Sequence, residues 1–264
     1  MHTLTLPSST PPALEPGTCH IWWARPESAT ETLLELLDEQ EQRRYASYRQ
    51  PRDRARFLVA CGLMRLALGH ELQQEPASVT LLRDCTTCGR PHGKPRLGLG
   101  FPRIELSASH GGDRIAVALA HGAALGVDVE PIAATLPVDE LAPHVLTPEE
   151  AMELEGWSGP RRVEALLRYW TRKEAVVKAT GKGLATPLRS FAVSSPTDLP
   201  RVIAWPSMPG GGEKVRLYDL HPGAGHVASL AVLGPPLQVM ELDGARLLEL
   251  VGGRPNRGRR WRRP

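Results

Sequence analysis

The chain has 264 residues, of which 41% are hydrophobic and 23% are charged, as is usual for a globular protein of one large or two modest domains. No run approaches the roughly 18 apolar residues of a membrane span, and the first residues lack the basic flank and apolar core of a secretory signal. We therefore expect a cytoplasmic protein with no membrane partner.

Charge is distributed unevenly along the chain. Six arginines and no acid fall in residues 251–264, so the other 26 basic residues face 29 acidic ones and residues 1–250 carry a net charge of −3. We predict that 251–264 is a basic disordered tail and that no nucleic acid is bound. Contact of the tail with RNA, a membrane or an acidic partner is the alternative.

The first predicted elements are a leader, a strand and two helices. Residues 1–17 are rich in Pro, Ser and Thr and predict a disordered leader. Residues 21–23 predict a short strand, and 30–46 predict an amphipathic helix. Asp53 is suited to cap a second helix from 54 to about 68, which Gly69 would end.

Two cysteines have the spacing of half a zinc site. Cys85 and Cys88 are separated by two residues, and His92 follows them. A structural zinc site needs two further ligands, so a reduced loop is the alternative. Cys61 lies in an apolar run and is predicted to belong to the core.

The second half of the chain alternates strand and helix patterns. We predict strands over 104–107, 115–120 and 125–130, with a loop over 109–112 between the first two. Thr147 and Pro148 predict a helix start, and a long helix from about 161 to 180 would end at Gly181. Short strands are predicted near Phe191, Val202, Val215, Val227 and Leu237.

An offset of 112 residues aligns the chain with itself. Residues 53–82 and 113–130 then meet 165–194 and 225–242 with nine identities in 48 positions. This register predicts two similar α+β halves, an N-terminal half over 18–124 and a C-terminal half over 125–250. Acids survive in one copy only, because Glu174 aligns with Gly62 and Asp128 with Met240.

Three carboxylates form the candidate site. Alternation places Asp128 and Glu130 on one face of a strand, and helical spacing places Glu174 and Lys178 one turn apart. Three of the five lysines fall within residues 173–182, in a chain with 27 arginines. Carboxylate oxygens beside lysines predict a hard-metal site that faces a polyphosphate.

These residues resemble the signature motifs of a known family. Residues 126–130 and 170–178, with 181–184, are similar to the two motifs of 4′-phosphopantetheinyl transferases. Residues 93–95, 106–110 and 53–57 resemble that family's upstream segments. The length suits its surfactin-synthetase-activating (Sfp-like) class. The resemblance implies an α+β monomer of two pseudo-symmetric α/β halves, with the active site in the cleft between them.

The resemblance also implies a reaction. Coenzyme A would donate its 4′-phosphopantetheine arm to a serine of an apo acyl or peptidyl carrier protein, with Mg²⁺ or Mn²⁺ held by Asp128, Glu130 and Glu174. Glu174 is the candidate general base, and Lys178 would neutralise charge on the bridging oxygen. The residues implied to bind coenzyme A are Arg56, Lys94, Ser109, His110, Lys173 and Lys178.

Two other functions remain open at this point. A Mg²⁺-dependent hydrolase of nucleotide pyrophosphates would need the same carboxylates but no protein acceptor. A coenzyme A- or carrier-binding module without activity would not need intact carboxylates. The sequence does not specify the carrier. Carriers of polyketide, peptide and fatty-acid synthesis all remain open, and we expect a role in secondary-metabolite biosynthesis.

Overall fold

In the computed structural model, the described residues are 12–84, 89–90, 93–98, 103–181, 183, 186–207 and 214–252. They form a mixed α+β fold. The helices are α1 (Glu39–Ser47), α2 (Pro51–Leu72), α3 (Val138–Val145), α4 (Pro148–Glu155), α5 (Gly159–Thr180) and α6 (Gly244–Gly252). The strands are β1 (Thr18–Ala24), β2 (Leu81–Leu82), β3 (Arg96–Leu97), β4 (Ile104–Gly111), β5 (Arg114–His121), β6 (Ala124–Pro131), β7 (Ala192–Val193), β8 (Val202–Ala204), β9 (Val215–Leu220), β10 (His226–Leu233) and β11 (Gln238–Asp243).

Two sheets organise these strands. The first has the strand order β11-β1-β5-β4, and the second has the order β6-β10-β9. Neighbouring strands are antiparallel except for β11, which runs parallel to β1. The end of the described chain thus returns to its beginning, because β11 pairs with β1. The helix that follows β11, α6, packs against α2.

Each sheet is covered by one long helix. α2 shares a core with the first sheet, in which Leu63 packs with Val117 and Trp22. α5 shares a second core with the strands of the other sheet. The uncovered faces of the two sheets meet in a third core, formed by residues such as Ile21 and Val127. Each such fully buried aliphatic side chain stabilises the fold by roughly 1.5–3 kcal/mol.

β6 has the alternation that its sequence predicts. Val127 and Val129 are fully buried in the core between the sheets. Gly126 lies on the other face, where α5 passes so closely that a Cβ atom would overlap the backbone of Ala175. The absence of a side chain at Gly126 therefore lets α5 lie directly on β6, beside Asp128.

Most predicted elements are present with longer bounds. The strands predicted over 21–23, 104–107, 115–120 and 125–130 lie within β1, β4, β5 and β6. Thr147 and Glu150 form the capping box that starts α4, and Gly181 ends the long helix in a left-handed conformation with φ 70°. The short strands predicted after α5 are also confirmed.

The helix predicted over 30–46 is wrong. Glu31–Leu36 is a 3₁₀ helix, Leu37 is extended, and α1 starts anew after Asp38. The Asp38 side chain accepts the backbone N–H of Glu41, and the Glu41 side chain accepts that of Asp38. This capping box favours a new helix start over continuation of the first one.

Two further boundaries differ from the prediction. α2 begins at Pro51 and continues past Gly69, so Gly69 does not end the helix. The absence of a side chain at Gly69 instead leaves room for Gln74 and Pro76, which approach it closely. Asp53 pairs with Arg56 and is not the cap. The predicted loop over 109–112 is also wrong, since β4 extends to Gly111 and contains Ser109 and His110.

The described part of the predicted leader, residues 12–17, includes a side chain that packs against the fold. Of residues 1–17, the described part begins at 12, and there Leu14 is buried and its N–H donates to Glu71 Oε2 at 3.0 Å. Among the helices that the structure describes, none has the length and apolar character needed to cross a membrane.

Candidate active site

Asp128 lies at the centre of a polar cluster between β4, β6 and α5. Its Oδ1 accepts hydrogen bonds from Ser109 Oγ at 2.8 Å and from Lys178 Nζ at 2.6 Å. Lys178 Nζ also donates to Ser109 Oγ at 3.0 Å and to the carbonyl of Val127 at 3.1 Å. Three elements distant in sequence thus converge on one buried carboxylate.

The three predicted carboxylates influence one another. Burial, together with the charges of Asp128 and Glu174, raises the pKa of Glu130 to about 7, although Lys178 opposes this shift. Burial and the charge of Asp128 likewise raise the pKa of Glu174 above its ordinary value. We call Asp128, Glu130 and Glu174 the carboxylate cluster. Its negative charges are crowded and only partly compensated by Lys178.

The donor set of this cluster suits a hard divalent cation. Mg²⁺ and Mn²⁺ take oxygen ligands, and Asp128 Oδ2 is a buried oxygen that has no hydrogen-bond partner among the described residues. Within the described part of the chain, however, no three Asp, Glu, His or Cys side chains stand close enough to ligate one ion. The donor atoms of the cluster thus suit a cation, although the described side chains are not arranged as a metal site.

The segment that carries this arrangement is similar to known proteins. Residues 124–224, which begin with β6 and include α5, match the family model of the 4′-phosphopantetheinyl transferase superfamily. The matched segment is therefore similar to this superfamily. A 4′-phosphopantetheinyl transferase of Nostoc, HetI, is 29% identical over 220 residues, which cover 81% of this chain and 87% of the relative. A 4′-phosphopantetheinyl transferase of Bacillus subtilis is 25% identical over 75% of this chain and 85% of its own.

The protein is therefore an enzyme, a phosphopantetheinyl transferase. Sfp of Bacillus subtilis strain 168 is also similar, at 23% identity over 66% of this chain and 74% of its own. The segment that matches the family model carries the whole carboxylate cluster and Lys178. The predicted carboxylates and Lys178 thus lie within the matched segment, whereas Arg56, Lys94, Ser109 and His110 precede it.

The residues predicted to hold the far end of coenzyme A come from the first sheet and α2. Arg56 donates to the carbonyl of Gly112 and forms an ion pair with Asp53. His110 projects from β4, where partial burial and the positive charges of Arg56 and Lys178 lower its pKa. Arg56 and His110 therefore lie together on the side of Lys178 that faces the first sheet.

Lys94 reaches the same strand as the carboxylates. Its Nζ donates to the carbonyl of Leu125 in β6 at 2.7 Å, and burial lowers its pKa. The structure thus brings Lys94 to the edge of β6, three residues before Asp128. Its ammonium is tied to the backbone there and is largely buried.

Lys173 does not reach the site, which corrects the prediction that it borders the phosphates. Its side chain is fully buried, and Nζ lies 2.5 Å from Glu150 Oε2. It also donates to the carbonyls of Leu188 and Phe191. Because Lys173 precedes Glu174 by one position on the helix, it points about 100° away from it, into the core of the second sheet. We remove Lys173 from the candidate site.

Some predicted residues fall outside the described part of the chain. These are the cysteine pair with its nearby histidine, one lysine of the second motif and the arginine-rich tail: Cys85, Cys88, His92, Lys182 and residues 253–264. Cys61, by contrast, lies on α2 and is buried in the core, as predicted.

A cavity of about 840 Å³ lies away from the carboxylate cluster. It is bounded by α5, the loop between β7 and β8, and β9, and none of the predicted site residues lines it. Its charges are compensated locally, because Arg168 pairs with both Glu164 and Asp219. Size alone therefore does not mark the active site of this transferase.

Two contributors to the site carry no charge and were not predicted. Gly126 permits the close contact of α5 with β6. Ser107 is buried, and its Oγ accepts the N–H of Val127 at 3.1 Å. The signal for Ser107 is its spacing of two residues from Ser109, which places both hydroxyls on one face of β4.

Proposed function

We propose that this transferase moves the 4′-phosphopantetheine arm of coenzyme A to a serine of an apo acyl or peptidyl carrier protein. Adenosine 3′,5′-bisphosphate is the second product. The observation that carries the proposal is the carboxylate cluster beside Lys178, within the segment that matches the superfamily. The names of the relatives support the transferred group.

In the proposed reaction, the serine hydroxyl oxygen of the carrier forms a bond to the β-phosphorus of coenzyme A. The bond between that phosphorus and the bridging oxygen breaks, and the bisphosphate leaves with the electron pair. Glu174 accepts the serine proton. Its pKa is raised above the ordinary value, which makes its carboxylate a stronger base and supports this role.

Lys178 is the candidate for stabilising the leaving oxygen. Its side chain is about one third exposed, so its ammonium can meet a substrate, whereas that of Lys173 cannot. A fixed cation stabilises negative charge most where that charge grows during the reaction. We propose that Lys178 donates to the bridging oxygen as the P–O bond breaks.

Asp128, Glu130 and Glu174 would hold Mg²⁺ or Mn²⁺. When bound, the cation would supply neutralisation of the pyrophosphate charge. The unpartnered Oδ2 of Asp128 and the crowding of the three carboxylates support this assignment. Arg56, Lys94, Ser109 and His110 are proposed to bind the phosphate and adenosine parts of coenzyme A.

We infer a doubled architecture of the Sfp-like type, with a cleft between an N-terminal half over 18–124 and a C-terminal half over 125–250. Two facts support it. The offset of 112 residues brings β5 (Arg114–His121) onto β10 (His226–Leu233) end to end. Each of these strands pairs with the neighbour that precedes it in the chain and with a second strand of its sheet: β5 with β4 and β1, and β10 with β9 and β6. A cytoplasmic monomer remains our expectation.

A single assay tests the proposed reaction. The protein is incubated with coenzyme A, Mg²⁺ and a panel of apo carriers from fatty-acid, polyketide and peptide synthesis, and each carrier is weighed by mass spectrometry. We expect at least one carrier to gain the mass of phosphopantetheine, and to gain none without Mg²⁺. The carrier that reacts fastest identifies the acceptor class.

The alternatives give different results in the same assay. Cleavage of coenzyme A without a carrier would indicate the pyrophosphate hydrolase. Binding of coenzyme A with no mass gain on any carrier would indicate an inactive binding module. Either result would overturn the proposal.

A further inference from the structure

Strands β4 and β6 lie side by side but belong to different sheets. No ladder pairs them among the residues that the structure describes, although β6 passes so close that a Cβ atom at Gly111 would overlap the carbonyl of Val129. The edge of β6 that faces β4 therefore has backbone groups that a neighbouring strand would ordinarily satisfy. Side chains satisfy them here.

Ser107 accepts a hydrogen bond from the backbone of β6 at the residue that precedes Asp128. Its Oγ accepts the N–H of Val127 at 3.1 Å, and both groups are buried. The carbonyl of Val127 accepts a hydrogen bond from Lys178. The two residues thus hold both polar groups of Val127, and the peptide unit that follows leads directly to Asp128.

We propose that Ser107 is a positioning residue, which fixes the backbone of β6 so that Asp128 is aimed at the metal ion. This inference rests on the proposed function. Ser109 orients the carboxylate of Asp128 by a direct hydrogen bond, while Ser107 orients the backbone that carries it. Both serines come from the first sheet, so that sheet sets the geometry of a ligand in the second.

The physical basis is the cost of an unmade hydrogen bond. Replacement of Ser107 by alanine leaves the buried N–H of Val127 without an acceptor, and the strand then shifts to reach water or another partner. Groups that orient metal ligands typically change metal affinity by about 10- to 100-fold when removed. A purely structural hydrogen bond would change stability alone.

Ser194 provides a matched control. It is as buried as Ser107, and its Oγ also accepts a backbone N–H at 3.1 Å, that of Arg201. Ser194 follows β7, and its Oγ also donates to the carbonyl of Leu199 and accepts from Arg172. None of the hydrogen bonds that the described residues make with its Oγ comes from the carboxylate cluster. Ser194→Ala therefore reports the effect of losing such a bond away from the site.

The experiment measures Mn²⁺ binding to full-length protein by electron paramagnetic resonance, with and without coenzyme A, alongside transfer as a function of Mn²⁺ concentration. We expect Ser107→Ala to raise the dissociation constant of Mn²⁺ about 10-fold, with kcat at saturating Mn²⁺ nearly unchanged. Ser107→Thr, which keeps the hydroxyl, should restore most of the affinity. Ser194→Ala should lower the Tm without changing Mn²⁺ affinity.

Two results would overturn the inference. Wild-type Mn²⁺ affinity in Ser107→Ala, with transfer intact in the wild type, would show that Ser107 is structural. An equal loss of affinity in Ser194→Ala would show that general destabilisation is responsible. A wild-type protein that neither binds Mn²⁺ nor transfers the arm would instead refute the proposed function, and the inference with it.

Discussion

Two clusters of buried charge in this protein differ in how completely their members are paired. In the first, Arg65 on α2 is almost inaccessible and donates to Asp38, Glu41 and the carbonyl of Val79. In the second, the carboxylate cluster has three acids, and among the described residues Lys178 forms an ion pair with one of them, Asp128. In this second cluster, two of the three carboxylates have pKa values raised above their ordinary values.

This difference separates structural charge from functional charge. A buried ion pair whose hydrogen bonds are all made holds elements together, as Arg65 joins α2 to the start of α1. Crowded carboxylates with an unpartnered oxygen destabilise the folded protein until a cation or a substrate compensates them. Lys173, paired with Glu150, belongs to the structural kind even though it adjoins Glu174 in sequence.

The largest expected effect is on catalysis, at Glu174. Glu174→Gln should lower kcat for transfer by about 10²–10⁴-fold, because the serine proton loses its acceptor. The Tm should not fall, since the substitution removes one of three crowded negative charges. Transfer is followed by the mass of the carrier, and unfolding by calorimetry.

Glu164 supplies the control for this substitution. It lies on the same helix and pairs with Arg168 at a half-exposed position. Glu164→Gln should leave transfer unchanged. Full activity of Glu174→Gln would remove Glu174 as base and as metal ligand.

The two lysines of the second motif give the sharpest contrast. Lys178→Met should lower kcat by about 10²–10³-fold and should also lower the free energy of unfolding, because buried Asp128 loses its cation and keeps only the hydrogen bond from Ser109. Lys173→Met should lower the free energy of unfolding by about 3–5 kcal/mol, because Glu150 is left buried without its cation. Its activity per folded molecule should be normal. A loss of kcat in folded Lys173→Met, with normal kcat in Lys178→Met, would contradict the division into a structural and a functional cluster.

The dependence of stability on pH offers a third comparison. The pKa of Glu130 is about 7 in the folded protein and about 4.5 when unperturbed, so the folded state binds its proton more tightly than the unfolded state. Stability from this group is therefore full below about pH 4.5 and is lost as the pH rises through about 7. Glu130→Gln should raise the Tm at pH 8 by about 2–5 °C and leave it unchanged near pH 4.5.

Scans of Tm against pH for the wild type, Glu130→Gln and Glu164→Gln measure this effect. Only Glu130→Gln should flatten the slope between these pH values, and it should also weaken transfer, because a proposed metal ligand is lost. A pH slope in Glu130→Gln equal to that of the wild type would show that Glu130 is not the group responsible.

The sequence predicted the elements of the site better than the partners of its side chains. Strand alternation and helix spacing are local properties, so they placed Asp128, Glu130, Glu174 and Lys178 correctly on β6 and α5. The partner of Lys173 is Glu150 on α4, and no local pattern relates the two. The same limit applies to Ser107, whose partner is a backbone N–H in another sheet.

Capping explains the boundary errors in the first half of the chain. Leucines at helical spacing predicted one helix over 30–46, but the capping box of Asp38 and Glu41 starts a new helix. Both acids are also needed by Arg65, a contact 24 and 27 residues distant. The hydrophobic period was therefore outweighed by polar contacts that only the tertiary structure reveals.

The smallest expected effect is at Ser109, whose hydroxyl contacts both Asp128 and Lys178. Its hydroxyl donates to Asp128 Oδ1 and accepts from Lys178, while Lys178 also contacts Asp128 directly. Ser109→Ala thus removes one of two hydrogen bonds to that oxygen and leaves its charge compensated. A net contribution of about 1 kcal/mol for such a bond predicts a fall in kcat/KM of roughly fivefold. A fall as large as that of Lys178→Met would mean that the hydroxyl, and not the ammonium, is the main partner of Asp128 during the reaction.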